Sequence, residues 1–192
     1  MLSAVIATRE SERALVPTLA ALVPAVATGL LTDVVVADAA SRDATGEVAE
    51  IAGCRFISSR ETAGARLKAG AAATRSRWLM FLRAGTAPEK GWIEAVEHFI
   101  AAADRSDGAA RAAVFRPSRV EDLMRPSFSE IAALLRAATG GSPRPEQGLL
   151  IARSFYDALG GHPHGDDAEM ALLRRLGRKR TAMLPVGATV RS

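Results

Sequence analysis

Short apolar runs alternate with helical stretches along the first half of the chain, and this alternation constrains the fold more than any other feature. Four runs have the length of buried strands: Leu2–Ala7, Val34–Ala37, Arg55–Ser58 and Trp78–Leu82. Three stretches between them favour helices: the region around Leu15, Asp43–Ala52 and Ala63–Thr74. Strands that alternate with helices form βαβ units, in which consecutive strands are parallel. We therefore predict an α/β fold with a mostly parallel central sheet and helices on both faces.

The second half of the chain is less regular. Trp92, Val96, Phe99 and Ile100 repeat at helical spacing, and Pro88 suits the first turn of that helix. Two further helices are predicted, at Phe128–Leu135 and Asp166–Leu176. Strands are predicted at Ala112–Phe115, Gly148–Ala152 and Ala182–Val186. A chain of 192 residues fits one hydrophobic core, so we expect a single domain over residues 1–192.

One uncharged segment imitates a targeting or membrane sequence. No charged residue occurs from Ala14 to Leu31, which approaches the length of a membrane-spanning helix, and Ala25–Ala27 resembles a signal-peptidase site. Pro17 and Pro24 interrupt the segment, and the residues before it include acidic ones. Apolar residues recur at the spacing of one helix face: Leu15, Leu19, Leu22, Val23 and Val26. We predict a helix of a soluble domain, kinked or split at Pro24.

Composition and charge indicate the cellular compartment and the class of binding partner. Hydrophobic residues make up 48% of the chain, enough to fill a core. The lone Cys54 excludes an internal disulfide and suits a reducing cytoplasm. The net charge is +4, but only one basic cluster occurs, with no stacking aromatics among its members: Arg174, Arg175, Arg178, Lys179 and Arg180. We predict a cytoplasmic protein that binds no nucleic acid, with peripheral attachment to anionic membrane as an alternative role of the cluster.

The ends of the predicted strands are the places to look for a site. Ligands of open parallel sheets bind beyond the carboxyl ends of the strands. Three such ends carry polar residues: Thr8–Glu10, Asp38–Ser41 and Arg83–Thr86. No G-x-G-x-x-G sequence follows a strand, so a dinucleotide-binding fold has no motif to support it.

Taken together, these segments resemble the bacterial family 2 glycosyltransferases of the GT-A type. Ala4–Glu10 is similar to the family's opening strand and Asn-Glu turn, with Arg9 in place of the Asn. Val34–Thr45 resembles the second strand and its Asp-Gly-Ser-x-Asp-x-Thr turn. Gly64–Ala71 is similar to the helix that packs beside the nucleotide.

The similarity continues into the second half in the same order. Gln147-Gly148 with Arg153, followed by Ala158–Gly161, resembles the acceptor-side segment. Asp166-Asp167 and the residues after it resemble the Glu-Asp catalytic motif and its helix. The nearest subgroup is the radical-SAM/selenodomain-associated transferases. The resemblance implies a GT-A (nucleotide-diphospho-sugar transferase) fold, with residues 1–86 as the nucleotide-binding half and 87–192 as the acceptor-side half.

The resemblance also implies a reaction. Family members move a sugar from a nucleotide donor, usually a UDP-sugar, to an acceptor with inversion at the anomeric carbon. For this chain we predict such a transfer to an unknown hydroxyl acceptor. The alternative is a catalytically decayed GT-A domain that serves as a nucleotide-binding or protein-interaction module.

Roles follow position by position. The nucleotide-binding candidates are Thr8, Glu10, Asp38, Arg66 and Arg83, and the acceptor-side candidates are Gln147 and Gly148. Asp38 is implied to contact the base or ribose, or else only caps the next turn. Arg66 is a diphosphate contact or a solvated helix residue. Asp167 is implied to be the catalytic base with Asp166 as its neighbour, or else both only cap a helix.

The fourth strand end departs from the family. Where members have Asp-x-Asp, or His-Ala-Asp in the nearer subgroup, this chain has Arg83-Ala84-Gly85. Arg and Gly side chains supply no oxygen to Mg²⁺ or Mn²⁺, so we predict no metal site here although the family uses one. We expect Arg83 to supply part of the positive charge that the metal ion provides in the family, and Gly85 to leave room for a phosphate. We also expect Asp38 to face the same cleft from an adjacent strand end. Two readings remain for the loop that contains His162 and His164: the histidines and the two aspartates form a small metal site, or the loop is simply solvated.

Overall fold

The computed structural model describes residues 1–105, 112–117 and 143–190. The strands are β1 (Leu2–Thr8), β2 (Leu31–Asp38), β3 (Arg55–Ser58), β4 (Trp78–Arg83), β5 (Thr86–Pro88), β6 (Ala112–Pro117), β7 (Leu149–Ala152) and β8 (Thr181–Val190). The helices are α1 (Glu12–Ala27), α2 (Thr45–Ile51), α3 (Ala63–Ala72), α4 (Trp92–Arg105), α5 (Arg153–Ala158) and α6 (Ala168–Leu176). Short 3₁₀ turns occupy Pro145–Gln147 and Arg178–Arg180. The helix predicted at Phe128–Leu135 lies outside the described residues.

The strands form one sheet in the order β3-β2-β1-β4-β7-β6-β8-β5. The first four are mutually parallel, as the strand–helix alternation predicts, and β6 is also parallel to β8. Antiparallel pairings join β4 to β7, β7 to β6, and β8 to β5. The first half therefore builds a parallel sheet whose carboxyl ends meet at one edge, and the second half extends it as a mixed sheet.

Helices cover both faces of the sheet, as predicted. Side chains alternate between the two faces of a strand. On one face, Phe99 of α4 meets the ring of Trp78, and Trp92 Nε1 donates to the Ala21 carbonyl of α1 at 3.1 Å. On the other face, Gly70 of α3 lies against Val5, Tyr156 of α5 packs against Phe81, and α6 contacts α3. The apolar core fills the space between the sheet and each helical layer.

The helix α1 corrects two predictions. It runs without interruption from Glu12 to Ala27 and contains both prolines, so the expected split at Pro24 is wrong. Pro24 lies in the last turn, and the carbonyl that lacks its usual donor belongs to exposed Ala20, where water can reach it. Val23 and Val26 were expected in the apolar stripe but are 62% and 54% exposed.

Pro88 is also placed differently from the prediction. It ends β5, and α4 begins at Trp92. Among the described strands, β5 pairs with β8 alone and lies at the edge of the sheet, where a residue without an N–H donor is tolerated. The predicted helix at Asp166–Leu176 begins two residues later, at Ala168. Within the described part of the chain, no helix has the length and apolar character needed to cross a membrane.

Candidate functional site

Polar side chains gather where β1 and β2 end. Asp38 is fully buried, and one of its oxygens accepts from Thr8 Oγ1 at 2.8 Å and from Ser41 Oγ at 2.6 Å. The other oxygen accepts from the Ser41 amide at 2.8 Å and from Ser58 Oγ at 3.1 Å. Burial opposes the charge, but these four hydrogen bonds outweigh it and hold the pKa of Asp38 below its usual value. The structure thus gives Asp38 the turn-capping contacts that the sequence left open as its alternative role.

Glu10 fastens the same loop from the β1 side. Its carboxylate accepts from the amides of Arg42 and Asp43 at 3.1 and 3.2 Å. Its own amide donates to Ser41 Oγ at 2.8 Å, and its φ of 47° turns the backbone out of the strand. The two loops are therefore cross-linked, and Glu10 holds them together at the rim of the sheet.

A second group of polar residues lies on the face of the sheet that α3 covers, where the loop before α6 meets the start of α3. Asp166 Oδ1 accepts from the Ala63 amide at 3.1 Å, and the Gly165 carbonyl accepts from the Gly64 amide at 3.0 Å. Asp167 is the N-cap residue of α6 but makes no side-chain hydrogen bond to that helix. Asp166 therefore caps α3, a helix more than a hundred residues away in sequence, and Asp167 stays exposed.

Arg66 belongs to the same end of α3. Its Nη1 donates to the Glu61 carbonyl. Its Nε is buried and has no hydrogen-bond partner among the described residues. A buried donor without an acceptor costs free energy, so this side chain has one bond still to satisfy.

Arg83 is held between two carboxylates at the end of β4. Its Nε and Nη2 both lie close to Glu169 Oε2, at 2.8 and 2.7 Å, and its Nη1 lies 3.2 Å from Glu146 Oε1. The Arg83 side chain is 41% exposed, Glu146 47% and Glu169 13%. Burial works against the charge, but the bond and charge of Glu169, with the charge of Glu146, raise the pKa of Arg83. The guanidinium is therefore a fixed positive charge at this strand end.

The two key strand ends are not arranged quite as predicted. Asp38 and Arg83 share one edge of the sheet, but β1 lies between their strands. Asp38 pairs with Thr8 and Arg83 with Ala7, and consecutive residues point to opposite faces. The expectation that Asp38 and Arg83 lie at adjacent strand ends and face one cleft is therefore wrong. Their strands are separated by β1, and their partners on β1 are consecutive residues, so the two side chains leave the sheet on opposite faces.

The donor set at the end of β4 does not fit a divalent cation. No carboxylate occurs from Arg83 to Thr86, and Glu146 and Glu169 are both bound to the guanidinium. Among the described residues, no group of three or more His, Cys, Asp or Glu side chains is placed to hold a metal ion. Hard cations need several oxygen ligands around one point, and here a cationic side chain occupies that point.

The acceptor-side candidates are packed into the sheet edge. Gln147 is 7% exposed; its Nε2 donates to the Phe115 carbonyl at 2.7 Å and its Oε1 accepts from the Arg144 amide at 2.8 Å. Gly148 has φ 64°, and a Cβ there would lie 2.7 Å from Leu82. Both residues shape the turn that brings neighbouring Glu146 to Arg83.

His162 is buried, whereas His164 is exposed. The His162 amide donates to Tyr156 Oη at 3.2 Å, and Tyr156 Oη lies 2.9 Å from His162 Nδ1. Burial lowers the pKa of His162 to about 3 and raises the pKa of Tyr156 to about 12. The neutral ring also packs edge-on against Phe81 of β4, so it supports the strand that carries Arg83.

A cleft of about 360 Å³ lies elsewhere, at the amino end of β4. Trp78 and Arg153 line it, and Arg153 donates to the carbonyls of Ser76 and Ala71 and to Thr74 Oγ1. This cleft is remote from the carboxyl ends of the strands, and Arg153 already donates to two carbonyls and a hydroxyl. We therefore place the candidate site at the carboxyl edge of the sheet.

Two residues of the candidate site were not foreseen from the sequence. Glu146 and Glu169 bind Arg83 from positions 63 and 86 residues away. Glu146 precedes Gln147, and Glu169 follows the two aspartates, so each lies beside a motif without belonging to it. Gly85, by contrast, donates its amide to the Ala14 carbonyl and to Thr18 Oγ1, and serves the turn after β4.

Solved structures share this fold. The chain superposes over its whole length on 72% of glucosyl-3-phosphoglycerate synthase from Mycobacterium tuberculosis in complex with Mn²⁺, UDP and glucosyl-3-phosphoglycerate, with a TM-score of 0.67 and 20% identity. The same enzyme with Mn²⁺ and UDP-glucose gives a TM-score of 0.67 and 21% identity over 100% of this chain and 71% of that one. A further structure of it gives 0.68 and 22%, over 100% and 72%. The fold is therefore of the GT-A type, mixed α/β with a central sheet between helices.

Sequence comparison identifies the family. No curated protein matches the chain. The family model described as glycosyl transferase family 2 matches residues 3–148, which include the loops after β1, β2 and β4. The matched region is more than half of the chain, and the fold extends the similarity to the rest. The chain therefore belongs to glycosyl transferase family 2.

Proposed function

We propose that this protein transfers a sugar from a nucleotide-sugar donor, a UDP-sugar in the first instance, to a hydroxyl acceptor. The observation that carries the proposal is the fixed guanidinium of Arg83 at the end of β4. Family membership and the fold support the reaction class, and structures with this fold contain UDP or UDP-glucose. The subgroup, the bacterial origin and cytoplasmic localisation remain predictions from the sequence.

The residues fall into two groups in this proposal. Thr8, Glu10 and Asp38 shape the loops that enclose the nucleoside end of the donor. Arg66 and Arg83 supply positive charge for the diphosphate. A guanidinium forks onto phosphate oxygens and stays charged at every relevant pH, so it opposes the charge that builds up on the leaving diphosphate.

The acceptor side completes the reaction. An inverting displacement needs a base that removes the acceptor proton as the new bond forms. Asp167 suits this role because its carboxylate is exposed and uncommitted to its own helix, whereas Asp166 binds α3. Gln147 and Gly148 position the acceptor side of the cleft by fixing the turn next to β4.

Metal dependence separates this proposal from the usual family behaviour. Since the donor set does not fit a divalent cation, UDP should bind with nearly the same affinity in Mn²⁺ and in EDTA. The binding should weaken with added salt, because it rests on contacts between charges. Calorimetric titration of UDP into the wild-type chain under these conditions measures both effects.

Arg83→Ala provides the matching variant, and exposed Arg13→Ala on α1 is its control. We expect Arg83→Ala to weaken UDP binding at least about tenfold, within the range for hydrogen bonds to charged groups, and Arg13→Ala to leave it unchanged. A strong requirement for Mn²⁺ would contradict the charge-replacement role. Absence of UDP binding in either condition would favour the alternative, a decayed GT-A domain that serves as an interaction module.

We also propose peripheral membrane association, because one exposed basic surface favours it. Met183, which follows the basic cluster in sequence, is 44% exposed, and the cluster residues are all exposed: Arg174, Arg175, Arg178, Lys179 and Arg180. Such a surface attracts anionic lipid head groups. Co-sedimentation with phosphatidylserine vesicles should fall steeply between low and high salt, and uncharged phosphatidylcholine vesicles should bind no protein. Equal binding to both vesicle types would contradict this role.

A further inference from the structure

The two carboxylates that hold Arg83 are unequal. Glu169 takes the side edge of the guanidinium, where Nε and Nη2 both approach one oxygen, and its side chain is 13% exposed. Glu146 takes a single contact at 3.2 Å on Nη1, and its side chain is 47% exposed. A partly buried ion pair with two short contacts is held more firmly than an exposed one with a single longer contact.

The guanidinium has donors left over. Arginine carries five N–H groups in a planar fork. Glu169 accepts from Nε and lies 2.7 Å from Nη2, and Glu146 accepts from Nη1. At least one hydrogen therefore remains on each terminal nitrogen, and the Arg83 side chain is 41% exposed. An anion that arrives from solvent therefore meets the terminal nitrogens on the side of Glu146, whose carboxylate is exposed and makes one contact with Arg83.

We infer that Glu169 is a positioning residue that fixes the Arg83 guanidinium for the donor diphosphate, and that Glu146 is an exchangeable partner which the diphosphate displaces. This inference rests on the proposed function, because it needs a diphosphate at Arg83. Glu169 remains bound to the side edge when the ligand enters. Glu146 occupies Nη1 in the unliganded protein and gives it up to the diphosphate.

Charge alone predicts a different outcome, and this makes the inference testable. Removing either carboxylate takes one negative charge away from the anion site, so a purely electrostatic effect would tighten diphosphate binding in both variants. The structure predicts opposite signs. Losing Glu146 removes a competitor, whereas losing Glu169 frees the guanidinium to rotate, and binding then has to order it again.

The experiment is calorimetric titration of UDP, in EDTA, into full-length wild type, Glu146→Ala and Glu169→Ala. We expect Glu146→Ala to lower the Kd by about two- to fivefold, the range of an exposed ion pair. We expect Glu169→Ala to raise it about tenfold, as a hydrogen-bonded charge pair is lost. Glu97→Gln, an exposed carboxylate on the outer side of α4, is the control and should leave the Kd unchanged.

A conservative variant separates orientation from charge and from folding. Glu169→Gln has the same charge as Glu169→Ala but keeps an acceptor oxygen at the same length. It should bind UDP at least about fivefold more tightly than Glu169→Ala. Equal affinities of these two variants, or tighter binding in Glu169→Ala than in wild type, would overturn the positioning role of Glu169.

Dependence on Arg83 supplies the last readout. In an Arg83→Ala background the Glu146→Ala substitution should change the Kd less than about twofold, since the contact it competes for has gone. An undiminished gain in that background would overturn the displacement role of Glu146. If wild type binds UDP and Arg83→Ala weakens it, the nucleotide site of the proposed function stands whatever the glutamate variants show. If wild type binds no UDP, both fail together.

Discussion

At the scale of the residue, His162 gives the fold a sensitivity to acid. Its pKa of about 3 in the folded state lies below the ordinary value of 6.5. The unfolded chain therefore takes up a proton at this site as the pH falls below about 6.5, and the folded chain does not. The stabilisation from the neutral ring is complete above that pH and is lost as the pH falls toward 3, by at most about 1.4 kcal/mol per unit.

Urea unfolding at pH 7 and pH 5 checks this prediction. The wild-type free energy of unfolding should fall by up to about 2 kcal/mol more than that of His162→Gln over the same interval. His164→Gln, which changes the exposed histidine of the same loop, should keep the wild-type dependence. Parallel pH dependences for wild type and His162→Gln would contradict a neutral buried ring.

Asp167 carries the catalytic prediction at this scale. Asp167→Asn preserves size but cannot take up the acceptor proton, so turnover should fall at least about hundredfold. The affinity for UDP should stay within about twofold of wild type, because Arg83 rather than Asp167 is proposed to contact the diphosphate. UDP release from UDP-glucose measures turnover, and calorimetry measures affinity. Exposed Asp157→Asn on α5 is the matched control, and turnover retained in Asp167→Asn would contradict the assignment.

At the scale of the element, the contact between α3 and the loop before α6 depends on Gly64. A Cβ at this position would lie 1.9 Å from the Pro163 carbonyl oxygen and 2.9 Å from Ala168 Cβ. Backbone atoms cannot give way as the end of a flexible side chain can, so the two elements would be forced apart. Asp166 and Asp167 lie in the displaced loop, and the substitution should therefore disturb the site as well as the fold.

Thermal unfolding of Gly64→Ala tests this contact. Overpacking should exceed the gain in helix propensity and lower the free energy of unfolding by about 2 kcal/mol. Gly46→Ala on α2 is the control, because the nearest atoms to a Cβ there belong to the Phe56 ring, at 3.3 Å. That variant should stay within about 1 kcal/mol of wild type. Equal stability of the two variants would show that the loop does not approach α3 this closely.

At the scale of the whole molecule, the two proposed halves share one sheet. The strand β4 of the first half lies between β1 and β7, and β5 at the boundary pairs with β8 near the end of the chain. A fragment of residues 1–86 would expose one edge of β4 and the apolar side chains it buries. We therefore predict that the chain unfolds in one cooperative step and that the two halves do not unfold separately.

Two single-tryptophan variants report on the halves independently. Trp92→Phe leaves fluorescence from Trp78 in β4, and Trp78→Phe leaves fluorescence from Trp92 in α4; both residues are 3% exposed. In each variant, the fluorescence transition in urea should coincide with that of the far-ultraviolet circular dichroism. Separate midpoints for fluorescence and circular dichroism in either variant would show that the halves unfold independently.

Local patterns in the amino-acid sequence were enough to predict the parallel half of the sheet. Hydrophobic runs and helical stripes are local patterns, and they predicted β1 to β4 and the helices between them because each element buries its own apolar face. The strand-end residues were also found this way, since parallel strands bring their carboxyl ends to one edge. The predictions for Pro24 and Pro88 were wrong because both depend on the surroundings of the proline in the fold. Pro24 is tolerated because the carbonyl that loses its donor is exposed, and Pro88 because its strand lies at the edge of the sheet; the local sequence shows neither.

The contacts between side chains of the candidate site depend on the three-dimensional packing of the chain and could not be predicted from local patterns. Glu169 reaches Arg83 across 86 residues and Asp166 reaches Ala63 across 103, and no periodicity in the chain connects such pairs. The order of β7, β6 and β8 in the sheet could not be predicted from the sequence either, because strand pairing depends on burial and register over the whole fold. The sequence thus supplied the charges at the sheet edge, and the packing of α6 and the turn before β7 determined which carboxylates hold the arginine in place.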